Sequence, residues 1–406
     1  MQLVAYGAQD AYLTGNPQVT FFKVVYRRHT NFALESIEQT FAGSVDFGRK
    51  VSATISRNGD LIHKTYLQVE LPAITTTGTS TAAWVRNIGH VLIKEVDIEI
   101  GGQRIDRHYG QWLHIWQELT QTKEHEDGYN VMIGNTAELT TPAASVPSRT
   151  LYIPLQFWFN RHVGCALPLI ALQYHEVKIN IEFRPFSECH YIGATGGTVS
   201  TPTLAAASLW VDYIFLDTDE RRQFAQIGHE YLIEELQFGG AESFSQTSVR
   251  QRLNFNHPCK ELVWVSQLDA NVQSVANAAV LRANRWTDFT NSGSTGTVYG
   301  GDDPVVDGKL QLNGHDRFAT RKAGYFNLVQ PYQHHTSIPA TGVYVYSFAL
   351  KPEDHQPSGT VNMSRIDNAT LQLTMSSAAA MKLYTYVTSY NVLRVMSGLA
   401  GKAYSS

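Results

Sequence analysis

Three pairs of similar segments recur in the same order in the two halves of the chain, and this repetition restricts the fold more than any single motif. Members of a pair share an alternation of apolar and polar residues, and the pairs are Asp97–Asp106 with Lys309–Phe318, His63–Val69 with Cys259–Val265, and Ala171–Ile181 with Met363–Leu373. The offset within each pair is about 190 to 212 residues. Each match alone is weak, because alternating strands abound in large antiparallel proteins. Their common order favours an internal duplication, which predicts two copies of one β module.

A charged joint separates the two halves. The segment Leu216–Ala225 follows one strand-like run, Ser208–Leu216, and precedes another, His229–Phe238. The 406 residues are also enough for two cores, since single cores stop growing at about 250 to 300 residues. We therefore predict an N-terminal segment of residues 1–30, a first module of residues 31–217, a linker of residues 218–228 and a second module of residues 229–406.

Short alternating stretches run through both halves. Lys50–Ser56 and Thr65–Leu71 have the two-residue period of strands that bury one face. Hydrophobic residues make up 43% of the chain and charged residues only 17%, which indicates a globular chain with a large buried area. Many short strands and little helix predict an all-β protein of two consecutive β-sandwiches, with short helices in the connections. The pattern alone leaves open whether the strands are connected as jelly rolls or as other Greek keys.

One stretch changes period. In Asp106–Thr122 the apolar residues recur at spacings of three and four, as they do on one face of a helix. Trp112 and Trp116 belong to this face. We expect both tryptophans to be core residues that cap one end of a β-sandwich.

Charge and cysteine content exclude several classes of protein. The formal net charge is −4 and basic residues are mixed with acidic ones, so sequence-specific binding to nucleic acid is not expected. Three cysteines, Cys165, Cys189 and Cys259, argue against a disulfide framework and fit a reducing compartment. The sequence shows neither a secretion signal nor an apolar run of about 18 to 20 residues, so we expect a soluble protein made in the cytosol.

A search for catalytic and metal-binding motifs identifies none. A cupin-type metal enzyme would need a His-x-His pair, but His334 and His335 are adjacent and would point to opposite faces of a strand. His229 begins a sequence like a zinc-protease motif, yet Ile233 stands where the second histidine is required. We therefore predict no catalytic residue, no cofactor-binding residue, no metal ligand and no cofactor, in a protein that is not an enzyme.

Several polar motifs receive ordinary interpretations. Glu234-Glu235 and Glu353-Asp354 are expected to be solvated groups of loops or strand edges. Asn362 and Asn368 match the N-glycosylation pattern, which is common by chance and needs a secretory route. The sequence leaves modification at these two positions open.

A basic cluster follows the apolar run Val19–Tyr26 near the start of the chain. It consists of Arg27, Arg28 and His29. Two interpretations are open: a solvated surface, or a contact with an acidic partner or another subunit. These three residues are the candidate interaction residues.

Two long segments near opposite ends of the chain resemble a known family. Gly7–Glu35 is similar to the N-terminal signature of the major capsid proteins of nucleocytoplasmic large DNA viruses, and Tyr346–Leu371 is similar to their C-terminal signature. Two separated signatures in the right order are more specific than one short motif, and the resemblance covers nearly the whole chain. Departures are confined to Gly/Ser/Thr-rich tracts, which we expect to be exposed loops: Thr75–Ala83, Gly193–Ala207 and Thr290–Gly301.

The resemblance implies a double jelly roll, in which each module is an eight-stranded jelly-roll β-sandwich. It implies a major capsid protein, a structural subunit whose homotrimers form pseudo-hexagonal capsomers that tile the icosahedral shell of a large double-stranded DNA virus. It further implies a place in the virion capsid, assembly in the viral factory of the host cytoplasm, and contacts with neighbouring capsomers and with minor capsid and penton proteins. The N-terminal segment with Arg27 and Arg28 would lie at the base of the shell, near minor capsid proteins or the internal viral membrane.

Two other functions are alternatives to a capsid role. A carbohydrate-binding β-sandwich is suggested by the 20 Tyr and 7 Trp residues, and it would present exposed aromatic platforms. A metal-dependent cupin-like enzyme is the second alternative. The two signatures also allow two interpretations, because their turn formers and aromatic groups fit either clamps within the chain or contacts between subunits.

Overall fold

A computed structural model describes residues 3–193, 198–272, 284–292 and 299–405 of the chain. The loop tracts predicted at Gly193–Ala207 and Thr290–Gly301 therefore fall partly outside the described residues. Strands dominate the described ranges, and the longest helix there, Gly110–Thr120, has 11 residues. None of the helices in these ranges is long and apolar enough to cross a membrane.

Eight strands of the first half form two antiparallel sheets that pack face to face. The strands are β1 (Phe32–Gln39), β2 (Lys50–Thr54), β3 (Leu61–Leu71), β4 (Ile93–Ile100), β5 (Gln103–Tyr109), β6 (Arg149–Pro154), β7 (Val177–Phe183) and β8 (Ala206–Leu216). One sheet has the order β1-β8-β3-β6, and the other has the order β2-β7-β4-β5. This routing is that of a jelly roll.

Eight strands of the second half repeat the arrangement. They are β9 (His229–Phe244), β10 (Ser248–Leu253), β11 (Pro258–Leu268), β12 (Val305–Leu312), β13 (His315–Asp316), β14 (Val343–Ser347), β15 (Ala369–Met375) and β16 (Met381–Met396). Their orders are β9-β16-β11-β14 and β10-β15-β12-β13. Adding eight to each strand number of the first half gives the second half, so the two jelly rolls have the same routing.

The repeated segments of the sequence fall on equivalent strands. Asp97–Asp106 joins β4 to β5 as Lys309–Phe318 joins β12 to β13. The other two pairs fall on β3 with β11 and, at their C-terminal ends, on β7 with β15. The predicted duplication and the all-β double jelly-roll fold are confirmed.

Short elements fill the connections. The helices are α1 (Asp10–Thr14), α2 (Ile88–Leu92), α3 (Gly110–Thr120), α4 (Lys123–Met132), α5 (Ala137–Thr140), α6 (Trp158–Arg161), α7 (Phe186–Cys189), α8 (Thr218–Gln226), α9 (Asp269–Val272) and α10 (Gln330–His334). Single turns of 3₁₀ helix cover Val163–Cys165, Leu169–Ala171 and Met363–Arg365, and a π-helical turn covers Tyr325–Val329. The short strands are Ile74–Thr75, Ala82–Trp84, Ser145–Val146, Leu167–Pro168, His190–Ile192, Arg321–Lys322, Val361–Asn362 and Leu399–Lys402.

The charged joint between the halves contains a helix. Asp217 begins it, because its side chain accepts a hydrogen bond from the amide of Thr218, and α8 then continues to Gln226. Asp219 and Glu220 lie in the first turn, where their negative charges stabilise the helix by interacting with the positive end of its dipole. The division of the chain at residues 218–228 stays a prediction.

Each jelly roll has its own apolar core. Alternate residues of the strands point inward: β7 buries Val177, Ile179 and Ile181, and the equivalent β15 buries Leu371 and Leu373. The buried side chains of each half pack into a large cluster, and the first cluster also includes Ile233, Leu393, Val395 and Ala400 of the second half. The two-residue period in the sequence therefore predicts which face of each strand is buried.

A third apolar cluster joins the two jelly rolls, and α3 is its centre. The helix buries Trp112, Ile115, Trp116 and Leu119 against strands of the second jelly roll, with Val263, Val265, Val343, Val345 and Tyr386 on the opposite side. The ring of Trp112 lies 5.4 Å from that of Tyr386 between centroids. The predicted burial of both tryptophans is confirmed, but their partner is the other jelly roll and not the end of their own sandwich.

The strand β11 shows the effect of this helix on sequence. Ten of the eleven residues of Pro258–Leu268 are buried, on both faces of the strand. One face contributes to the core of the second jelly roll, and the other packs against α3. A continuously buried strand is expected where both faces of a sheet are covered.

Candidate assembly surface

An apolar arm precedes the first jelly roll. We call residues 3–31 the N-terminal arm; all of them are exposed except the half-buried Gly7 and Asp10. Its large apolar side chains, each at least 72% accessible, are Leu3, Val4, Tyr6, Tyr12, Leu13, Val19, Phe21, Phe22, Val24, Val25 and Tyr26. So many exposed apolar groups in one segment indicate a surface that is covered by another molecule.

Hydrogen bonds within the arm are local. The carboxylate of Asp10 accepts from the amide of Gly7 at 2.6 Å, and the hydroxyl of Thr14 donates to the Asp10 carbonyl at 2.6 Å. Phe21 and Phe22 have positive φ angles of 54° and 47°, a region that bulky residues seldom adopt. Local bonds fix individual turns, so the path of the arm is not determined by packing on the jelly rolls.

The three candidate interaction residues lie at the C-terminal end of the arm. Arg27, Arg28 and His29 are all exposed. The ring of His29 meets the ring of Phe32 edge-on at 5.7 Å, so the cluster adjoins the start of β1. The structure places the three together beside exposed apolar side chains, and their role as interaction residues stays a prediction.

The strand that follows the arm is itself an edge. β1 pairs with β8 along one side, which leaves its other side unpaired in the described chain. Phe32 and Leu34 of this strand are 51% and 61% accessible. Exposed edge strands with apolar side chains are sites at which other chains add or dock.

A second exposed apolar group lies on the other jelly roll. Leu328, Tyr332 and Leu350 are 51%, 78% and 73% accessible. The α10 helix that carries Tyr332 is tied to the loop of Leu350, because His334 Nδ1 lies 2.9 Å from the Leu350 carbonyl oxygen. Each jelly roll thus offers apolar side chains to a neighbouring molecule.

The C-terminal signature, in contrast, is a clamp within the chain. Lys260 on β11 donates a hydrogen bond from Nζ to the carbonyl of Pro352 at 2.7 Å. Glu353 accepts from the amide of Thr336 at 3.0 Å, and its carboxylate lies 2.7 Å from Nδ1 of His335. Of the two interpretations of the signatures, the structure supports a clamp at the C-terminal one and an exposed surface at the N-terminal one.

The histidine of this clamp lies between two carboxylates. The side chain of His335 is fully buried, with Nε2 2.9 Å from Glu261 and Nδ1 2.7 Å from Glu353. Burial disfavours the charged imidazole, but the two carboxylates outweigh it and raise the pKa of His335 to about 9. His334 ends α10 and His335 follows it, so neither lies on a strand, and the condition under which they would point to opposite faces is not met.

Charged residues also join the two jelly rolls. Arg161, from α6 of the first, and Lys260, from β11 of the second, each lie 2.7 Å from the carboxylate of Glu234 on β9. The guanidinium of Arg161 also stacks over the ring of Trp116 at 3.8 Å. We call this group, with the apolar cluster of α3, the seam.

Several predictions about acidic residues need correction. The side chains of Glu234, Glu235 and Glu353 are only 12%, 5% and 18% accessible, so they are not solvated groups. Asp354 is exposed as expected, at 57%. The sequence around Glu234, Glu235 and Glu353 does not indicate burial, because the side chains that cover these carboxylates come from distant parts of the chain.

The tryptophans do not form exposed platforms. Trp84, Trp112, Trp116, Trp158 and Trp264 are buried, and Trp210 and Trp286 are half-buried. A carbohydrate-binding sandwich would need such platforms at the surface. The tryptophan content therefore reflects burial within the fold, whereas several tyrosines, such as Tyr12, Tyr174 and Tyr332, are exposed.

The chain matches two family models placed end to end. Residues 20–217 match the N-terminus of the major capsid protein, and residues 220–401 match the large eukaryotic DNA virus major capsid protein. The major capsid protein of Phaeocystis pouchetii virus is 49% identical over an alignment that covers 100% of this chain and 99% of that relative.

Solved structures agree with the family models. A quasi-atomic model of the PBCV-1 virus capsid is 39% identical, has a TM-score of 0.75, and covers 95% of this chain and 100% of the matched chain. The Faustovirus major capsid protein has a TM-score of 0.82 with coverage of 96% and 94%; its 13% identity makes this a likeness of fold. The family models and the relatives confirm the predicted resemblance. The relatives are structural proteins of virus shells, which supports a non-enzymatic role. By its family models, its relatives and its paired jelly rolls, this chain belongs to the family of major capsid proteins of large eukaryotic DNA viruses.

Proposed function

We propose that three copies of this capsid protein form a pseudo-hexagonal capsomer, and that many capsomers tile an icosahedral shell. The observation that carries the proposal is the equal strand routing of two jelly rolls in one chain. Three chains then place six similar units around a three-fold axis, and closed symmetry makes the block finite. Duplication of the jelly roll thereby becomes a means of tiling a surface.

The seam supports this proposal because a tile needs a fixed shape. The apolar cluster of α3 and the ions around Glu234 tie one jelly roll to the other. Contacts of this kind, which combine buried apolar side chains with ion pairs of low accessibility, resemble the interior of a single domain more than a mobile domain interface. The two units of each chain therefore keep one relative orientation during assembly.

The proposal assigns the N-terminal arm to the base of the shell. Its exposed apolar residues, together with Arg27, Arg28 and His29, would be covered there by minor capsid and penton proteins or by the internal viral membrane surface. The apolar groups on β1 and around Tyr332 would serve contacts between chains and between capsomers. Arginine and aromatic side chains are enriched in protein interfaces, which supports this assignment.

We place assembly in the viral factory of the host cytoplasm. The described cysteines, Cys165, Cys189 and Cys259, are all buried and unpaired. Their thiols are compatible with a reducing compartment, since an oxidising one favours disulfides. The mature location of this capsid protein is the virion.

Light scattering coupled to size-exclusion chromatography tests the trimer. The expected mass is three times the 45.3 kDa of one chain, and negative-stain images should show hexagonal particles with a three-fold centre. The chain carrying Tyr332→Ser and Leu350→Ser is a useful comparison, because both side chains are exposed and their loss should weaken contacts without unfolding. A folded monomer at micromolar concentration would rule out the proposed capsomer.

A further inference from the structure

Three side chains with metal-ligating atoms meet beside the seam. His162 ends α6, Cys165 lies in the following 3₁₀ turn, and His355 lies in the C-terminal signature of the other jelly roll. One ligand atom from each lies within 4.8 Å of the other two. Cys165 and His355 are 190 positions apart, so the fold and not the local sequence brings them together.

The distance between Cys165 and His355 is close to that between two ligands of a tetrahedral metal site. The Cys165 sulfur lies 3.5 Å from Nδ1 and 3.7 Å from Nε2 of His355. With a Zn–S bond of about 2.3 Å and a Zn–N bond of about 2.0 to 2.1 Å, a tetrahedral ion separates the two ligand atoms by roughly 3.5 Å. The sulfur lies almost equally far from both ring nitrogens, so the imidazole must turn to direct one lone pair at an ion, while the sulfur–nitrogen distance itself already fits.

His162 supplies the third position. Its ring stacks on that of His355, with centroids 4.4 Å apart and planes within 9°. Nδ1 of His162 accepts a hydrogen bond from the amide of Gly164 at 3.0 Å. Because His162 is exposed, its ring can turn and exchange this bond for a metal ion.

The surroundings carry charges of both signs. The three residues line a cavity of about 200 Å³, which also has the carboxylates of Glu234, Glu353 and Asp354 in its wall. Arg161, which also lines the cavity, and Lys260 are both paired with Glu234, and Glu353 is paired with His335, so the exposed Asp354 supplies the remaining negative charge.

We propose that His162, Cys165 and His355 bind one Zn²⁺ ion that ties the first jelly roll to the second. One thiolate and two imidazoles are a ligand set that suits zinc, and water completes the tetrahedron from the cavity. The thiol proton of Cys165 is released to solvent as the sulfur binds. The ion adds a link within each chain and does not depend on the trimer.

Metal titration of the untagged full-length protein tests this site. After treatment with a chelator, Co²⁺ is added as a spectroscopic substitute for Zn²⁺, and Zn²⁺ affinity is measured by competition. We expect one equivalent of metal per chain, a thiolate-to-Co²⁺ charge-transfer band, and a higher melting temperature with Zn²⁺. Cys165→Ala should remove the band, and His355→Gln should weaken Zn²⁺ binding by roughly tenfold or more.

Matched variants separate this site from general effects. Cys189→Ala removes a different buried thiol, and His125→Gln removes an exposed imidazole on α4. Both should keep the band, the stoichiometry and the melting shift. Circular dichroism before metal addition identifies any variant that has not folded. If Cys165→Ala or His355→Gln does not fold, His162→Gln replaces it in the metal titration, because His162 is exposed. Equal weak binding by all variants, or a native protein that binds metal without the sulfur band, would overturn the proposal.

Discussion

At the scale of single residues, the seam depends on charges that the sequence pattern assigns to the surface. Glu234 neutralises two basic groups, Arg161 and Lys260, whose side chains are 16% and 1% accessible. An uncompensated charge at such a position is costly, because the interior cannot solvate it as water does. The arrangement ties residues from β9, α6 and β11 into one group.

Replacement of Glu234 by Gln should therefore destabilise the protein strongly. We expect a loss of about 3 to 5 kcal/mol in the free energy of unfolding, since both basic groups lose the carboxylate with which they are paired. Glu230→Gln is the control on the same strand, because its pair with Arg394 is more than half exposed and should contribute less than about 1 kcal/mol. Denaturant unfolding in the presence of a chelator measures both, and equal losses would contradict the assigned role of Glu234.

His335 predicts a pH dependence of stability. Its pKa is about 9 in the folded protein and about 6.5 in an unfolded chain, so the folded state binds the proton more tightly. The resulting stabilisation is complete below pH 6.5 and is lost as pH rises to 9, with a total of up to about 3 kcal/mol.

Unfolding free energies of the native protein and of His335→Gln, measured between pH 6 and pH 10, test this dependence. The difference between the two should shrink as pH rises through this window. Glu235 also titrates near this window, because burial raises its pKa to about 7. Its contribution to the pH dependence of stability falls mainly below pH 7 and is the same in both proteins, so it does not affect their difference. A difference that is constant with pH would show that His335 is not charged in the fold.

At the scale of elements, α3 shows what periodicity can and cannot predict. Spacings of three and four predicted a helix and the burial of Trp112 and Trp116, and both are observed. Periodicity defines a face but not what covers it, because the covering residues Val263 and Val265 lie about 150 positions further along the chain. The same limit applies to Glu234, whose partners come from two other elements.

The start of α3 gives a prediction about a single glycine. Gly110 follows β5 directly, and a Cβ at this position would overlap the carbonyl oxygens of His90 and Ile93. Gly110→Ala should therefore force the backbone apart and cost about 3 kcal/mol. Gly128→Ala on α4 is the control: nothing lies within 4 Å of its Cβ, and alanine should stabilise the helix by about 0.5 to 1 kcal/mol. Melting temperatures of the two variants should move in opposite directions, and a shift of the same sign would refute this account of the turn.

At the scale of the whole molecule, duplication was readable in the sequence because both copies keep the strand alternation at their hairpins. Asp97–Asp106 and Lys309–Phe318 each retain a strand, a glycine turn and a second strand. The seam was not readable, since its charged residues have no periodic pattern and its two sides are far apart in sequence. Each jelly roll must bury one face of its strands, so the same alternation appears twice along the chain. The seam between the jelly rolls is formed once, so it leaves no repeated pattern in the sequence.

The N-terminal arm gives the last prediction, which separates folding from assembly. Its hydrogen bonds are local and its large side chains are exposed, so its removal should leave the melting temperature of the jelly rolls nearly unchanged. Trypsin should cleave the unassembled protein first after Lys23, Arg27 and Arg28, which are all exposed. In intact particles the same sites should be protected, because assembly covers the arm.

Mass spectrometry of the products over time distinguishes the outcomes. A variant with all three basic residues changed to Gln should lose the rapid cleavage, which identifies the sites. Slow cleavage of the unassembled protein would show that the arm is already covered before assembly, and equally fast cleavage in intact particles would show that the shell leaves it uncovered. Exposure of the apolar side chains of the arm to water is unfavourable. Rapid cleavage of the unassembled protein, together with protection in the particle, would therefore show that assembly is the step that covers the arm.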